Sequence, residues 1–207
     1  MHVADADTIA ISMSLTRYAS IDWGKGVGLL GHSMGAHAVV QSAGMTPTVP
    51  VTIKAAAAFA PQFFAPGEPS FAGVVKVPIF YVSASDDKIV APAKVHQQYN
   101  DTSPALSRAF AELKGYNHMS VATSDTFSYF TTAFFNCHIL GRRNGTGSCD
   151  SVYDISGSAW CPLCGNLHGC PHVWPMQVCE RSYRGPKLVS DHGVPVGTTH
   201  LDAQTAT

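Results

Sequence analysis

Apolar residues in this chain gather in short, nearly continuous runs, and between the runs they recur at three-to-four spacing. "VGLL" (27–30), "VPIFYVSA" (77–84) and "RAFAEL" (108–113) read as strands, the second being richest in β-branched and aromatic residues. "VTIKAAAAFAP" (51–61) reads as a further strand, although its alanines would also suit a helix. Helical spacing marks 5–20 (through Ile9, Met13 and Thr16 or Arg17), 34–44 with Gly44 placed to stop it, 91–99 and 120–140. Apolar strands alternating with helices predict an α/β fold, a mostly parallel sheet flanked by helices on both faces. From Gly141 onward periodicity gives way to Gly, Pro, Cys and His. The chain therefore divides into an α/β domain over 1–140, a cysteine-stapled extension over 141–184 and a polar tail over 185–207, read as disordered.

Ligands in such sheets bind where strands end and helices begin. The first strand runs into "GHSMG" (31–35), with a serine between two glycines at the entry to a helix. That setting marks a nucleophile elbow: glycines let neighbouring backbone approach a strained turn, and Ser33 projects its hydroxyl into the site. The amide of Met34, at the helix N-terminus, is then aimed to hold an oxyanion. A serine hydroxyl needs a base to take its proton and an acid to hold that base. "SDDKIVAP" offers Asp86 and Asp87 after the 77–84 strand, and "GYNHMS" offers His118 after the 108–113 strand. Ser, Asp, His is the order that this kind of elbow requires.

"GHSMGAHAV", "VPIFYVSASDDKIVAP" and "GYNHMSVA" together resemble the carboxyl-terminal half of an α/β-hydrolase. The likeness is to the cutinase-like polyester hydrolases and the dienelactone-hydrolase, chlorophyllase and platelet-activating-factor acetylhydrolase group, over about residues 5–150. It implies strands five to eight of the usual eight, followed here by the cysteine-rich extension. It also implies that Asp87 is the acid, with Asp86 facing solvent or capping the turn. Ala60 and Pro61 become the lip of the substrate cleft. The polyester hydrolases carry a tryptophan after that pair, whereas this chain has Gln62 followed by Phe63 and Phe64, so Gln62 and Phe63 are candidate substrate-binding residues. His32 is expected as a pocket-wall residue rather than a base. The family's first four strands and its second oxyanion amide would lie before Met1, so the resemblance reads the chain as a fragment. The fifth strand, central in the family, would then have an open edge.

A composition of 45% hydrophobic and 13% charged residues with net charge −1 gives no reason to expect nucleic acid or an anionic membrane as partner. No run approaches the roughly 18 apolar residues of a spanning helix, and the acidic N-terminus makes a poor signal peptide. Six cysteines at 137, 149, 161, 164, 170 and 179, with sequons at Asn100 and Asn144, point to an oxidising, extracytoplasmic compartment. Cys161, Cys164, Cys170 and Cys179 suit two disulfides of unspecified pairing, with Cys137 and Cys149 closing a third loop. The competing reading of 161–179 is a zinc site using His168 and His172, but it lacks a regular second knuckle. His37, His96 and His138 read as structural.

The expectation is a serine hydrolase of carboxylic esters, acting on a small-molecule or lipid-like substrate without cofactor or catalytic metal. The alternative from another class is a truncated, non-catalytic binding protein on the same fold. A zinc module at 161–179 that recruits a partner is a third.

Overall fold

The computed structural model describes residues 22–45, 51–62, 71–143, 147–153 and 176–182. Five strands, β1 (Val27–His32), β2 (Ile53–Phe59), β3 (Ile79–Ala84), β4 (Arg108–Leu113) and β5 (Met176–Ser182), form one sheet in that spatial order. The first four are parallel and β5 runs antiparallel to β4. Helices α1 (Met34–Gly44), α2 (Pro92–Asp101), α3 (Asp125–His138) and α4 (Cys149–Tyr153) lie between or beyond them. The α/β architecture and the parallel sheet are as the apolar runs predict.

Strand alternation sorts the core into two layers. Ala55, Ala57, Phe59, Phe80, Val82 and Leu113 face α3 and α4, whereas Ala56, Ala58, Tyr81 and Phe110 face α1 and α2. With both faces covered, strand residues are apolar at successive positions rather than at every second one. β2 shows why its alanines form a strand. Ala55 through Ala58 are all fully buried, and β1 and β3 supply hydrogen bonds on either edge. Alanine's weak strand preference is overridden by pairing and burial.

On the other face, Phe127, Phe130 and Phe134 recur at helical spacing on α3 and are fully buried. Phe80 meets two of these rings, Phe127 and Phe134. The expected helix over 120–140 divides in two: a 3-10 turn at Ser120–Thr123, then α3 from Asp125. Extended backbone at Ser124 (φ −74°, ψ 124°) separates them, and its carbonyl accepts the amides of Phe127 and Ser128.

Beyond residue 140 the chain joins the same core. Cys149, Val152 and Tyr153 pack with α3, and Cys137 and Cys149 form a disulfide, the pairing expected from sequence. β5 is a strand that aperiodic composition did not foretell; it places Cys179 opposite Ala111. The 5–20 helix, Phe63 and Phe64, the Asn144 sequon, most of the 161–179 cluster and the 185–207 tail lie outside the described residues. Asn100 is exposed on α2. No helix among the described residues is long and apolar enough to cross a membrane.

Candidate active site

Three strands of the parallel sheet, β1, β3 and β4, each deliver one polar residue to the same end of the sheet, with β2 lying between the first two. Ser33 follows β1, Asp87 follows β3 and His118 follows β4. Ser33 Oγ lies 2.9 Å from His118 Nε2, and His118 Nδ1 lies 2.8 Å from Asp87 Oδ2. Ser33, Asp87 and His118 are thus one connected chain of hydrogen bonds. Asp86 is exposed and accepts from the Ser85 hydroxyl, so Asp87 alone of the pair faces the imidazole.

The elbow is strained in the manner its sequence suggests. Ser33 sits at φ 56°, ψ −121°, a conformation that costs a non-glycine residue on the order of 1–3 kcal/mol. Its amide donates to Phe59 O at 2.9 Å and its carbonyl accepts the His37 amide, locking the turn to β2 and α1. The glycines contribute unequally. A Cβ on Gly31 would stand 2.4 Å from Gly35 O, whereas a Cβ on Gly35 meets nothing within 4 Å among the described residues. Among the described residues the close approach is made at Gly31, against the backbone of Gly35, and not at the Gly35 Cβ position, whereas the sequence led us to expect both glycines to serve it. The Met34 N–H, first in α1, is one of the amides left without an acceptor inside a helix.

Asp87 is held by its own loop. Asp87 is buried, and its Oδ1 accepts the Ile89 and Val90 amides at 2.8 Å each, leaving Oδ2 for His118. A carboxylate so placed fixes the imidazole with its proton on Nδ1, so the bare Nε2 faces the serine hydroxyl. The His118 loop is equally fixed. Asn117 Oδ1 accepts the Met119 and Ser120 amides, and Ser120 Oγ accepts the Asn117 amide. Ser85 stitches the acid and base loops together, its hydroxyl accepting the Gly115 amide and its amide donating to Leu113 O. N-x-x-S at 117–120 was a legible turn signal for this support.

His32 turns out to hold His118. Its Nε2 donates to the His118 carbonyl at 2.8 Å, so this imidazole anchors the backbone of His118. Gln62 lies beside Ser33, its Oε1 3.3 Å from Ser33 Oγ. Pro61, just before it, is held from α2, where the buried Gln98 side chain donates to the Pro61 carbonyl. Neither the His32 anchor nor the Gln98 support had a local sequence signal, because each joins segments far apart in the chain.

Large exposed apolar side chains follow the three residues in the chain: Met34 is 55% exposed, Ile89 60% and Met119 66%. Each lies one or two residues beyond a member of the triad. Elsewhere, burial raises the Glu112 carboxyl on β4 above its ordinary range. Among the described residues no group of three or more His, Cys, Asp or Glu side chains could hold a metal ion. No protein-family model and no curated protein matches the sequence.

Proposed function

We propose that this protein is a serine hydrolase of the α/β-hydrolase kind that cleaves carboxylic esters through an acyl-enzyme. The observation that carries this reading is the continuous Ser33–His118–Asp87 hydrogen-bond chain, with links of 2.9 and 2.8 Å. Ser33 Oγ attacks the ester carbonyl while His118 Nε2 takes its proton. Asp87 orients the imidazolium and stabilises its charge, and the Met34 amide donates to the oxyanion. His118 then gives the proton to the departing alcohol. A water molecule, deprotonated by the same imidazole, releases the acid and restores Ser33.

Exposed Met34, Ile89 and Met119 favour an ester with an apolar acyl or alcohol group, because burying such side chains on substrate yields binding energy without polar partners. The Cys137–Cys149 disulfide favours an oxidising, extracytoplasmic setting.

The test is intact-mass analysis of the purified protein after a fluorophosphonate probe, alongside Ser33→Ala. One adduct, mapped to Ser33 and absent from the variant, is the expected result. A folded protein that takes up no probe would overturn the reading and leave the non-catalytic binding protein in its place.

A further inference from the structure

We infer that the Gln62 side chain is a second oxyanion donor, working beside the Met34 amide; this rests on the esterase reading above. The inference begins with proton counting at Ser33. Among the described residues its hydroxyl has one proton and two hydrogen-bonding neighbours, His118 Nε2 at 2.9 Å and the Gln62 carboxamide at 3.3 Å. His118 Nδ1 is committed to Asp87 Oδ2, so Nε2 is an acceptor and takes the serine proton. A Gln62 oxygen pointed at Ser33 Oγ would then oppose lone pair to lone pair. The oxygen and nitrogen of a carboxamide are interchangeable in shape, and the hydrogen-bond network decides between them. Here it turns the NH2 group toward Ser33 Oγ.

The backbone holds that group in place. Ala60, fully buried at the end of β2, adopts φ 45°, and its amide donates to Val82 O at 2.8 Å. Pro61 O accepts from Gln98 Nε2 at 3.2 Å, and the Gln62 amide reaches Ser33 O at 3.4 Å. A strained, non-glycine residue kept in the left-handed region needs surrounding structure that over-determines it, and such strain clusters at functional sites. Here it directs the next two residues across the nucleophile.

The chemistry follows from where charge develops. When Oγ bonds to the ester carbon, the carbonyl electron pair moves to its oxygen, and the serine proton goes to His118 Nε2. The new oxyanion is attached to the same carbon as Oγ. A carboxamide NH2 already beside Oγ has a second N–H for that oxygen. It donates without gaining or losing a proton, so every other step is unchanged. Two donors, one from the N-terminus of α1 and one from the lip at 60–62, would then bracket the oxyanion.

The experiment uses the full chain with p-nitrophenyl acetate as substrate and an aryl trifluoromethyl ketone as inhibitor, which forms a tetrahedral oxyanion adduct on the serine. Gln62→Ala is expected to lower kcat about 10²-fold, the loss typical of one oxyanion donor, with KM changed less than about twofold. Inhibitor affinity should weaken in parallel with kcat/KM, and Gln62→Glu, nearly isosteric but anionic, should lose at least as much as alanine. A merely structural Gln62 would not move the inhibitor in parallel with kcat/KM. In the wild-type protein, adduct formation should shift one Gln62 side-chain amide proton downfield, a readout that needs no variant to fold. An unshifted amide proton, or folded variants that keep wild-type kcat or inhibitor affinity, would overturn the inference while the esterase reading stood. Wild-type protein that neither turns over the ester nor labels at Ser33 would remove both.

Discussion

His32 Nε2 donates to the backbone carbonyl of His118 at 2.8 Å, and the two imidazole rings stand 4.7 Å apart, centre to centre. The residue before Ser33 is thereby tied to His118, so β1 leads into Ser33 and also fixes the loop that faces it. Local geometry could not require this, because 86 residues separate the pair.

Replacing that anchor should therefore injure turnover more than binding. His32→Phe keeps a ring but removes the donor. It is expected to cost about 1 kcal/mol of stability, and to lower kcat about tenfold to a hundredfold through misplacement of His118. KM for p-nitrophenyl acetate should hold within about twofold. Steady-state kinetics with urea unfolding checks this, and an unchanged kcat would show that the His118 loop needs no such support.

The two neighbouring aspartates should separate cleanly. Asp87→Asn is expected to reduce kcat about 10⁴-fold with the chain still folded, because an amide no longer holds the imidazole in the acceptor tautomer. Asp86→Asn, on an exposed side chain, should leave kcat within about twofold. Equal losses at the two positions, measured with p-nitrophenyl acetate, would contradict the assignment of Asp87 as the acid.

The two glycines of the elbow should also part company. Gly31→Ala drives a methyl into the Gly35 backbone, where nothing flexible can yield. A loss of about 1–3 kcal/mol is expected, with Ser33 displaced and slow to label. Gly35→Ala, inside α1 with open space around the added Cβ among the described residues, should be neutral or stabilising by up to about 1 kcal/mol. Thermal melts with the rate of probe labelling distinguish the two.

Acid should loosen the corner where α3 meets α4. Burial lowers the pKa of His138 from 6.5 to about 4, and its Nε2 shares a hydrogen bond with Tyr153 OH at 2.9 Å. Between pH 6.5 and about 4 the unfolded chain binds a proton at this histidine that the folded chain refuses. This contribution to stability is therefore complete above pH 6.5, declines as pH falls through that window and levels off below about 4. The loss should be on the order of 3 kcal/mol. Urea midpoints measured across the window should fall less steeply for His138→Gln; identical slopes would assign the acid sensitivity elsewhere.

The disulfide joins the same two helices across a separation of 12 residues. The Cys137→Ala/Cys149→Ala double variant should lose about 2–4 kcal/mol. Reductant should then shift the urea midpoint of the wild type and leave that of the variant in place. A reductant-insensitive wild type would mean that the link carries no stability.

The amino-acid sequence by itself determined what short-range pattern can carry. Unbroken apolar runs mark strands buried on both faces, so β1, β3, β4 and α1 were legible within a residue or two. The Gly31–Gly35 elbow and the order of Ser33, Asp87 and His118 were legible too, because each polar residue lies in the loop that directly follows its strand. The tertiary structure decided the rest. Ala55 to Ala58 could have been helical, and only pairing with β1 and β3 makes them a strand. β5 has no periodic signal and is a strand because β4 offers it an edge. His32 on the His118 carbonyl and Gln62 on Ser33 are contacts between distant segments. No local propensity encodes such pairs; they exist because the sheet brings the ends of its parallel strands to one place.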